Sequence, residues 1–473
     1  MSLFISQKNK RGGFFITTPD PARLPADTSI VSDRTLAREL GFSDALAIGI
    51  GGMIGGGIFS ILGLAAGIAG PAVFLSFICG GITAIATGYS YTHLSVSYPS
   101  AGGSYMYVRK AFGQGRLASI TGWLLWLGYI VACALYAFTF GAYFAAAVIV
   151  SFTSSTMIFT ISRVFFTLFL IFLFLFINLA GVKETARTQN LIVIAKIVIL
   201  LFFIAVSSLG LRTFGTKNLL VGGTLFPNGY LAVVIGCALT FIALEGFELI
   251  ANASEELRDP ERILPRAILY SILIVISIYV ITSLVAIINV QYTELEEVKE
   301  YALAKAAEPV LGSFGFRLIA LGAIFSTASA FNASFYGSSR LSYVLGREGI
   351  FPKTFLKINS KRVPARSLEV TAALICVLAI FGGLEQIASL ASMIFLTIFI
   401  LVNLSAFHLS QDTRANRAII TLAVCLCVLI MVVLFYYLFM NQKIFELFSL
   451  LLFFLIILVC NEIFLIRTKR ASP

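Results

Sequence analysis

Two carboxylates inside an apolar run are the first residues of this sequence that could do chemistry. Glu245 and Glu248 flank Gly246 in GYLAVVIGCALTFIALEGFELIANASEEL, a run long enough to cross a bilayer. Each acidic side chain at the centre of a spanning helix costs about 3 kcal/mol on insertion scales. Three residues apart, the two would share one helix face. A glycine between two such residues predicts a break in the helix, facing protein or a watery cavity rather than lipid.

A glycine-rich stretch at Gly49–Phe59 predicts a second break. GIGGMIGGGIF holds six glycines in eleven positions and lies within an apolar run of spanning length. Glycine costs about 1 kcal/mol relative to alanine inside a helix, so this cluster makes a poor helix. The alternative is close helix packing, because Gly51 with Gly55 and Gly52 with Gly56 are GxxxG pairs. The other interruption in the chain favours a broken helix here.

The ends of a broken helix offer backbone groups to a ligand. N–H groups at a helix start suit a carboxylate, and carbonyl groups at a helix end suit an ammonium. We predict a carboxylate site where the first span restarts, at Gly55, Gly56, Gly57 and Ile58. We predict an ammonium site at backbone carbonyls near Met53 and, in the other break, at Ile242, Ala243 and Glu245. A zwitterionic α-amino acid matches both sites.

The composition indicates a polytopic membrane protein. Of the 473 residues, 59% are hydrophobic and 12% are charged, whereas a soluble domain carries about 25% charged residues. All seven cysteines fall in apolar runs without a CxxC pair, and only two histidines occur, so we predict no disulfide, metal or cofactor. The paired carboxylates are the one weak candidate for catalysis, and no histidine lies near them in sequence. We therefore predict no catalytic residues and no enzyme.

Apolar stretches of spanning length predict twelve transmembrane helices. They lie at about 43–69, 72–95, 118–149, 158–180, 190–211, 229–254, 266–289, 314–344, 368–383, 387–408, 418–440 and 444–465. Lysines and arginines assigned to alternate sides of these spans number 26 and 7, with Lys196, inside span 5, counted to neither side. This bias predicts a multi-pass protein of the cell membrane with both termini in the cytoplasm. It also explains the formal net charge of +11 without nucleic acid, so we expect the lipid bilayer as the partner of the surface.

The two predicted breaks fall in spans 1 and 6, five spans apart. Interruptions at corresponding places in two halves point to an inverted-repeat transporter with its site at the membrane midplane. We predict five-helix repeats at 41–211 and 212–408, followed by two helices within 409–466. Residues 1–40 and 467–473 are predicted to be cytoplasmic tails, the first polar, basic and mostly disordered.

Local patterns predict details at the membrane surfaces. Asp44, after Ser43, is expected to cap the start of span 1. Thr293 with Glu296 is a capping-box pattern that predicts a surface helix after span 7, ended by Pro309 and Gly312. Charged residues at the cytoplasmic end of span 6 fit either a salt-bridged gate or a solvated helix end: Glu255, Glu256, Arg258 and Arg262.

Three stretches carry a family pattern. They are GIGGMIGGGIF in span 1, ALEGFELIANASEELRDPERILPRAI from span 6 into span 7, and STASAFNASFYGSSRLSYVLGREGIFPK from Ser326 onward. They resemble the amino acid–polyamine–organocation superfamily, whose pattern in the second stretch runs GFD or GFE, EE, NP and PRAI, against GFE, EE, DP and PRAI here. The likeness covers nearly all of residues 40–470 and looks closest to archaeal and bacterial proton-coupled amino acid transporters. It implies a twelve-span, leucine-transporter-type fold of five plus five inverted helices, with amino acid bound at the breaks in spans 1 and 6.

The resemblance also implies roles for polar residues within the spans. Lys196 in NLIVIAKIVILL resembles a lysine that, in several members, stands in for the sodium ion of related symporters between spans 1, 5 and 8. Its proton would then couple transport, with Ser326, Thr327 and Ser329 of span 8 as hydrogen-bond partners. The alternatives are that Lys196 snorkels to the membrane surface or is a static charge, and that the other three are ordinary packing residues.

The two carboxylates relate differently to the family. Glu248 matches its acidic residue after GF, with a role that is either structural or that of a gate sensitive to protonation. Glu245 departs from the family, which usually has an apolar residue there. This carboxylate would favour a cationic substrate group, or stay protonated and bond the backbone freed by the break.

The sequence therefore favours a secondary transporter of amino acids. We expect it to be sodium-independent and to work by proton symport or exchange through alternating access. The alternative is a cationic amino acid or polyamine transporter or exchanger, motivated by Glu245 and Glu248. A channel, a nutrient sensor without transport and a membrane enzyme are the other classes considered.

Overall fold

The fold is given by a computed structural model, and the residues that it describes form helices with two isolated β-bridges. Described are residues 38–100, 102–149, 155–181, 186–210, 215–361 and 363–443, with scattered positions between 448 and 462. The helices are α1 (Phe42–Met53), α2 (Gly57–Ala69), α3 (Val73–Ser97), α4 (Gly103–Phe112), α5 (Arg116–Ile149), α6 (Thr156–Leu179), α7 (Ala186–Ser207), α8 (Tyr230–Thr240), α9 (Glu248–Asn252), α10 (Pro260–Asn289), α11 (Tyr292–Glu297), α12 (Ala302–Arg347), α13 (Ala365–Phe381), α14 (Leu384–His408), α15 (Ser410–Thr413) and α16 (Arg417–Met440).

Nine helical segments within the described residues are long and apolar enough to cross a membrane. The first runs from Phe42 to Ser97 and contains α1, α2 and α3. The apolar stretches predicted from 43–69 to 418–440 each coincide with helices of the structure. The stretch at 444–465 lies largely outside the described residues, as do the predicted terminal tails. The prediction of a helical, polytopic membrane protein is confirmed.

Helix α5 lies at the centre of the bundle. The most apolar part of this helix is 94% buried, and the helix packs against α12, α6, α14 and α4. Helices α6 and α7 instead expose large apolar side chains, including Phe165, Phe176 and Ile194. Such a surface is stable in hydrocarbon and not in water, so these helices face lipid.

The first predicted span is interrupted by a turn. Helix α1 ends at Met53 and α2 begins at Gly57, with Ile54 outside the helical region at φ −79° and ψ 43°. Gly55 and Gly56 complete the turn, where the absence of a side chain lets other helices approach the backbone.

The sixth predicted span is interrupted as well. Helix α8 passes into a 3₁₀ turn at Phe241–Leu244, and α9 begins only at Glu248. Glu245 is extended with ψ 171°, and Gly246 has a φ of +103°, which residues with a side chain rarely adopt. Both predicted interruptions are therefore present in the structure.

The chain segments beside the two breaks are joined at one end of the bundle. Leu40 precedes α1, Leu257 follows α9, and the two form a parallel β-bridge. The Leu40 N–H donates to the Glu256 carbonyl at 3.0 Å, and the Arg258 N–H donates to the Leu40 carbonyl at 3.1 Å. Backbone hydrogen bonds thus connect the start of α1 to the end of α9.

Two capping predictions differ in outcome. Asp44 accepts a hydrogen bond from the Gly41 N–H at 3.0 Å, so it stabilises the start of α1, although Gly41 itself is the N-cap. Helix α11 begins at Tyr292 after Gln291, with no side-chain cap, so the predicted capping box of Thr293 and Glu296 is wrong. Thr293 lies inside the first turn, where its hydroxyl is past the cap position.

Two further local predictions can be compared with the structure. Gly312 kinks α12 with a φ of +59°, whereas Pro309 lies inside that helix rather than ending it. Arg262 pairs with Asp259 at 3.7 Å, and both side chains are largely exposed. That pair favours the solvated helix end over a buried gate.

Candidate functional site

The two helix breaks are in direct backbone contact. A methyl group placed on Gly246 would lie 2.6 Å from the Gly52 carbonyl carbon and 2.7 Å from the Met53 nitrogen. Real side-chain atoms do not approach backbone this closely, so only glycine fits at this crossing. The structure therefore brings the predicted ammonium-binding carbonyls of both breaks together.

The glycines assigned to the carboxylate site are also packed against other helices. A methyl group would lie 2.5 Å from Ala330 Cβ at Gly55, 2.4 Å from a Tyr136 ring carbon at Gly56 and 2.6 Å from Ala243 Cβ at Gly57. Packing alone therefore requires glycine at these positions, as it does earlier in the stretch. The first turn of α2 still leaves N–H groups without intrahelical partners, so the two explanations are compatible.

A hydroxyl on α10 joins the two sets of carbonyl groups. Tyr279, which is fully buried, donates to the Met53 carbonyl at 2.6 Å and approaches the Ala243 carbonyl at 3.3 Å. In the second break, the Ile242 N–H donates to Ser392 Oγ at 3.3 Å. Each carbonyl oxygen has two lone pairs, so Met53 and Ala243 retain acceptor capacity.

Lys196 lies against the first break. Its side chain is 1% exposed, and Nζ donates to the Gly51 carbonyl at 2.8 Å. The snorkelling alternative is therefore wrong, since the ammonium points into the bundle. A buried ammonium beside the end of α1 retains both remaining interpretations, proton coupling and a static charge.

The three predicted partners on α12 have different positions. Ser326 Oγ lies 2.5 and 2.6 Å from the carbonyl oxygens of Ile54 and Gly55, so its one hydroxyl hydrogen bonds the backbone of the first break. Thr327 donates to Ala323 of its own helix at 2.7 Å, and Ser329 lines a small cavity beside the second break. Of the three, Ser326 is the one whose hydroxyl bonds to the interrupted backbone.

Glu248 is surrounded by hydroxyl donors. It is 2% exposed, and its two oxygens accept from Tyr91 and Tyr129 at 3.2 Å each. Asn252 in turn donates to the Tyr129 hydroxyl at 3.2 Å. This network ties α9 to α3 and α5, which fits a structural role for Glu248.

Glu245 is buried with less support. It is 5% exposed, and one oxygen accepts from the Tyr136 hydroxyl at 3.4 Å. Within the described residues its Oε2 atom has no hydrogen-bond partner. This side chain lines a cavity of about 20 Å³ that also touches Gly51, Gly52 and Gly246. A cavity of this size holds about one water molecule.

Sequence reasoning missed the tyrosines of this region. Tyr91, Tyr129, Tyr136 and Tyr279 each place a hydroxyl on a break or on its carboxylates. The available signal was a polar atom in the middle of an apolar span. A buried tyrosine hydroxyl needs a partner, and unpaired backbone and carboxylates at the breaks supply one.

Comparison of the sequence with known proteins shows the family of this chain. The sequence model described as amino acid permease matches residues 40–460 of the 473. The chain belongs to the amino acid permease family. The family resemblance found in the sequence is confirmed, and the permease is a membrane transport protein by its family and its relatives.

Three relatives of the permease match between 79% and 92% of its length. It is 32% identical over 436 residues to an uncharacterized protein of Methanocaldococcus jannaschii, covering 92% of this chain and 97% of that one. It is 30% identical to the methylthioribose transporter of Bacillus subtilis, over 81% of this chain and 84% of the relative. It is 29% identical to the vacuolar cationic amino acid transporter 2 of Arabidopsis thaliana, over 79% of this chain and 60% of the relative.

Proposed function

We propose that the permease is a secondary transporter that moves an amino acid across the cell membrane by alternating access. The contact between Gly246 and Gly52–Met53 carries this proposal, because it sets two interrupted helices together inside a membrane protein. The N–H groups at the start of α2, which have no partners within the helix, would hold the substrate carboxylate. The carbonyls of Met53 and Ala243 would hold its ammonium, with Ile242 and Ile58 beside them.

The proposal includes the twelve-span arrangement of five plus five inverted helices, with both termini in the cytoplasm. The breaks in the first and sixth predicted spans support it, as does the 26 to 7 distribution of basic residues. The small cavity at the breaks supports a carrier that must rearrange at each turnover, since about 20 Å³ is too little for an amino acid.

We further propose that Lys196 couples proton movement to transport, without sodium. Its ammonium bonds the Gly51 carbonyl and so stabilises the end of α1 while it is charged. Loss of the proton would remove that charge from the helix end, where it interacts favourably with the dipole. Protonation of Lys196 would thus bias the position of α1 relative to α7.

Uptake by proteoliposomes tests the proposal. The purified permease should accumulate labelled amino acid when the outside is acidified, at equal rates with sodium or with choline outside. Sodium-dependent uptake would refute the coupling, and an absence of uptake or exchange for every amino acid would refute the transport function itself. A cationic amino acid or polyamine is the second candidate substrate class, favoured by the buried Glu245 and by the name of the Arabidopsis relative.

A further inference from the structure

The cavity at the second break has an unusual chemical lining. Glu245 and Glu248 both line it, together with the side chains of Tyr129, Tyr136 and Ser329. The other side chains around it are uncharged and include Gln189 and Ser334. The lining thus brings two carboxylates and several hydroxyls together without a lysine or arginine among its members.

The two carboxylates differ in how their oxygens are satisfied. Both oxygens of Glu248 accept hydrogen bonds from tyrosine hydroxyls. Glu245 has one long bond from Tyr136, and its Oε2 has no partner within the described part of the chain. An unsatisfied buried carboxylate oxygen is costly, and one water in the cavity would give a hydrogen bond but no charge balance. No lysine or arginine side chain among the described residues lines the cavity to balance this charge.

One tyrosine contacts this carboxylate, and another contacts the ammonium site. Tyr279 binds the Met53 and Ala243 carbonyls, and its hydroxyl lies 2.8 Å from the methyl position of Gly57. The Tyr136 ring lies against Gly56, and its hydroxyl bonds Glu245. Gly56 therefore lies beside the tyrosine that bonds Glu245, and Gly57 lies beside the tyrosine that bonds the Met53 and Ala243 carbonyls.

We propose that Glu245 binds a cationic group at the end of the substrate side chain, so that the permease carries amino acids with an ammonium or guanidinium side chain. This inference rests on the proposed transport function. The substrate carboxylate occupies the N–H groups of α2, its α-ammonium the backbone carbonyls, and its side-chain cation the open oxygen of Glu245. Substrate entry displaces Tyr136 and enlarges the cavity, since the closed site has room only for water.

Lysine and norleucine form the decisive ligand pair, because norleucine keeps the carboxylate, the α-ammonium and the four-carbon chain but lacks the terminal cation. Each compound is tested as an inhibitor of the uptake of a labelled amino acid into proteoliposomes. The inhibition constant of L-lysine should be at least tenfold lower than that of L-norleucine. Equal inhibition by the two would overturn the assignment. The diamine 1,5-diaminopentane, which is lysine without its carboxylate, should inhibit more weakly than lysine, and equal inhibition would overturn the use of the α2 N–H groups.

Glu245→Gln gives the second test. This isosteric variant should lose the preference for lysine over norleucine, while Glu248→Gln, with a carboxylate already satisfied by two hydroxyls, should affect both ligands alike. An equal loss for lysine, norleucine and alanine in Glu245→Gln would instead assign Glu245 to the α-ammonium. If wild-type protein transports neutral amino acids but not lysine, the side-chain site fails and the transport function stands. If no amino acid is transported, the proposed function fails first.

Discussion

Removing the Tyr279 hydroxyl should destabilise the empty permease and do so less when substrate is bound. Tyr279→Phe deletes a 2.6 Å hydrogen bond to the Met53 carbonyl and a weaker contact of 3.3 Å to Ala243. A hydrogen bond contributes about 1 kcal/mol net, and a buried carbonyl left without it costs about 1–3 kcal/mol. We expect a loss of about 2 kcal/mol, read as a fall in the thermal unfolding midpoint in detergent.

The response to ligand distinguishes this reasoning from simple loss of packing. If the substrate ammonium binds the same two carbonyls, it should replace the missing hydroxyl. A saturating amino acid should then remove most of the difference in unfolding midpoint between Tyr279→Phe and wild type. Tyr143→Phe is the matched control, because Tyr143 is equally buried and donates at 3.0 Å to Phe59, whose carbonyl lies inside α2. Tyr143→Phe should lower the unfolding midpoint less, and its difference from wild type should be the same with and without the amino acid. Equal shifts for Tyr279→Phe with and without substrate would refute the ammonium site.

Three further predictions concern charge and packing. Lys196→Met should leave amino acid binding detectable by thermal shift but abolish the dependence of uptake on the pH gradient; retained proton coupling would exclude the lysine. Gly246→Ala should prevent transport and lower folded yield, since both a φ of +103° and backbone contact oppose it, whereas Gly113→Ala, with a φ of +79° and open surroundings, should cost only about 1–3 kcal/mol of stability. Equal effects would show that contact between the breaks is unimportant. Burial opposes the charge of Lys443, but hydrogen bonds to Glu385 and Tyr437, together with the negative charge of Glu385, outweigh burial and raise the pKa of Lys443. A raised lysine pKa stabilises the fold below the ordinary pKa and loses that effect as pH rises through the raised value. Lys443→Met should therefore lower the free energy of unfolding by about 1 kcal/mol at neutral pH. A difference in unfolding free energy that persists at strongly alkaline pH would contradict the ion pair.

The helix breaks could be predicted because the chain encodes them locally. Clustered glycines at Gly49–Phe59, and Gly246 between two carboxylates, are poor helix formers in a medium that demands helix. No long-range information is needed to locate them. The failed capping box at Thr293 shows the converse, because several nearby residues can begin a helix and tertiary contacts select among them.

The contacts around the breaks could not be predicted in this way. Tyr279 lies 226 positions from Met53, and Tyr136 lies 109 positions from Glu245, so their pairing depends on how the spans assemble. The same holds for dividing the glycines by role. The sequence predicted binding at Gly55–Gly57, yet these glycines and the earlier ones of the stretch are all close to other helices. Packing and binding require the same absence of a side chain there.

The β-bridge between Leu40 and Leu257 couples the motion of α1 to that of α9. Two backbone hydrogen bonds join their outer ends, while Gly246 and Gly52 touch at their inner ends. Swinging one short helix alone would break both backbone bonds, at about 1 kcal/mol each, so the pair has one low-energy motion instead of two. No side chain carries this link, and alanine scanning would leave it intact. Its effect would be to move the Met53 carbonyl, at the end of α1, together with Glu245, just before α9, while the carboxylate site on α2 lies outside this pair.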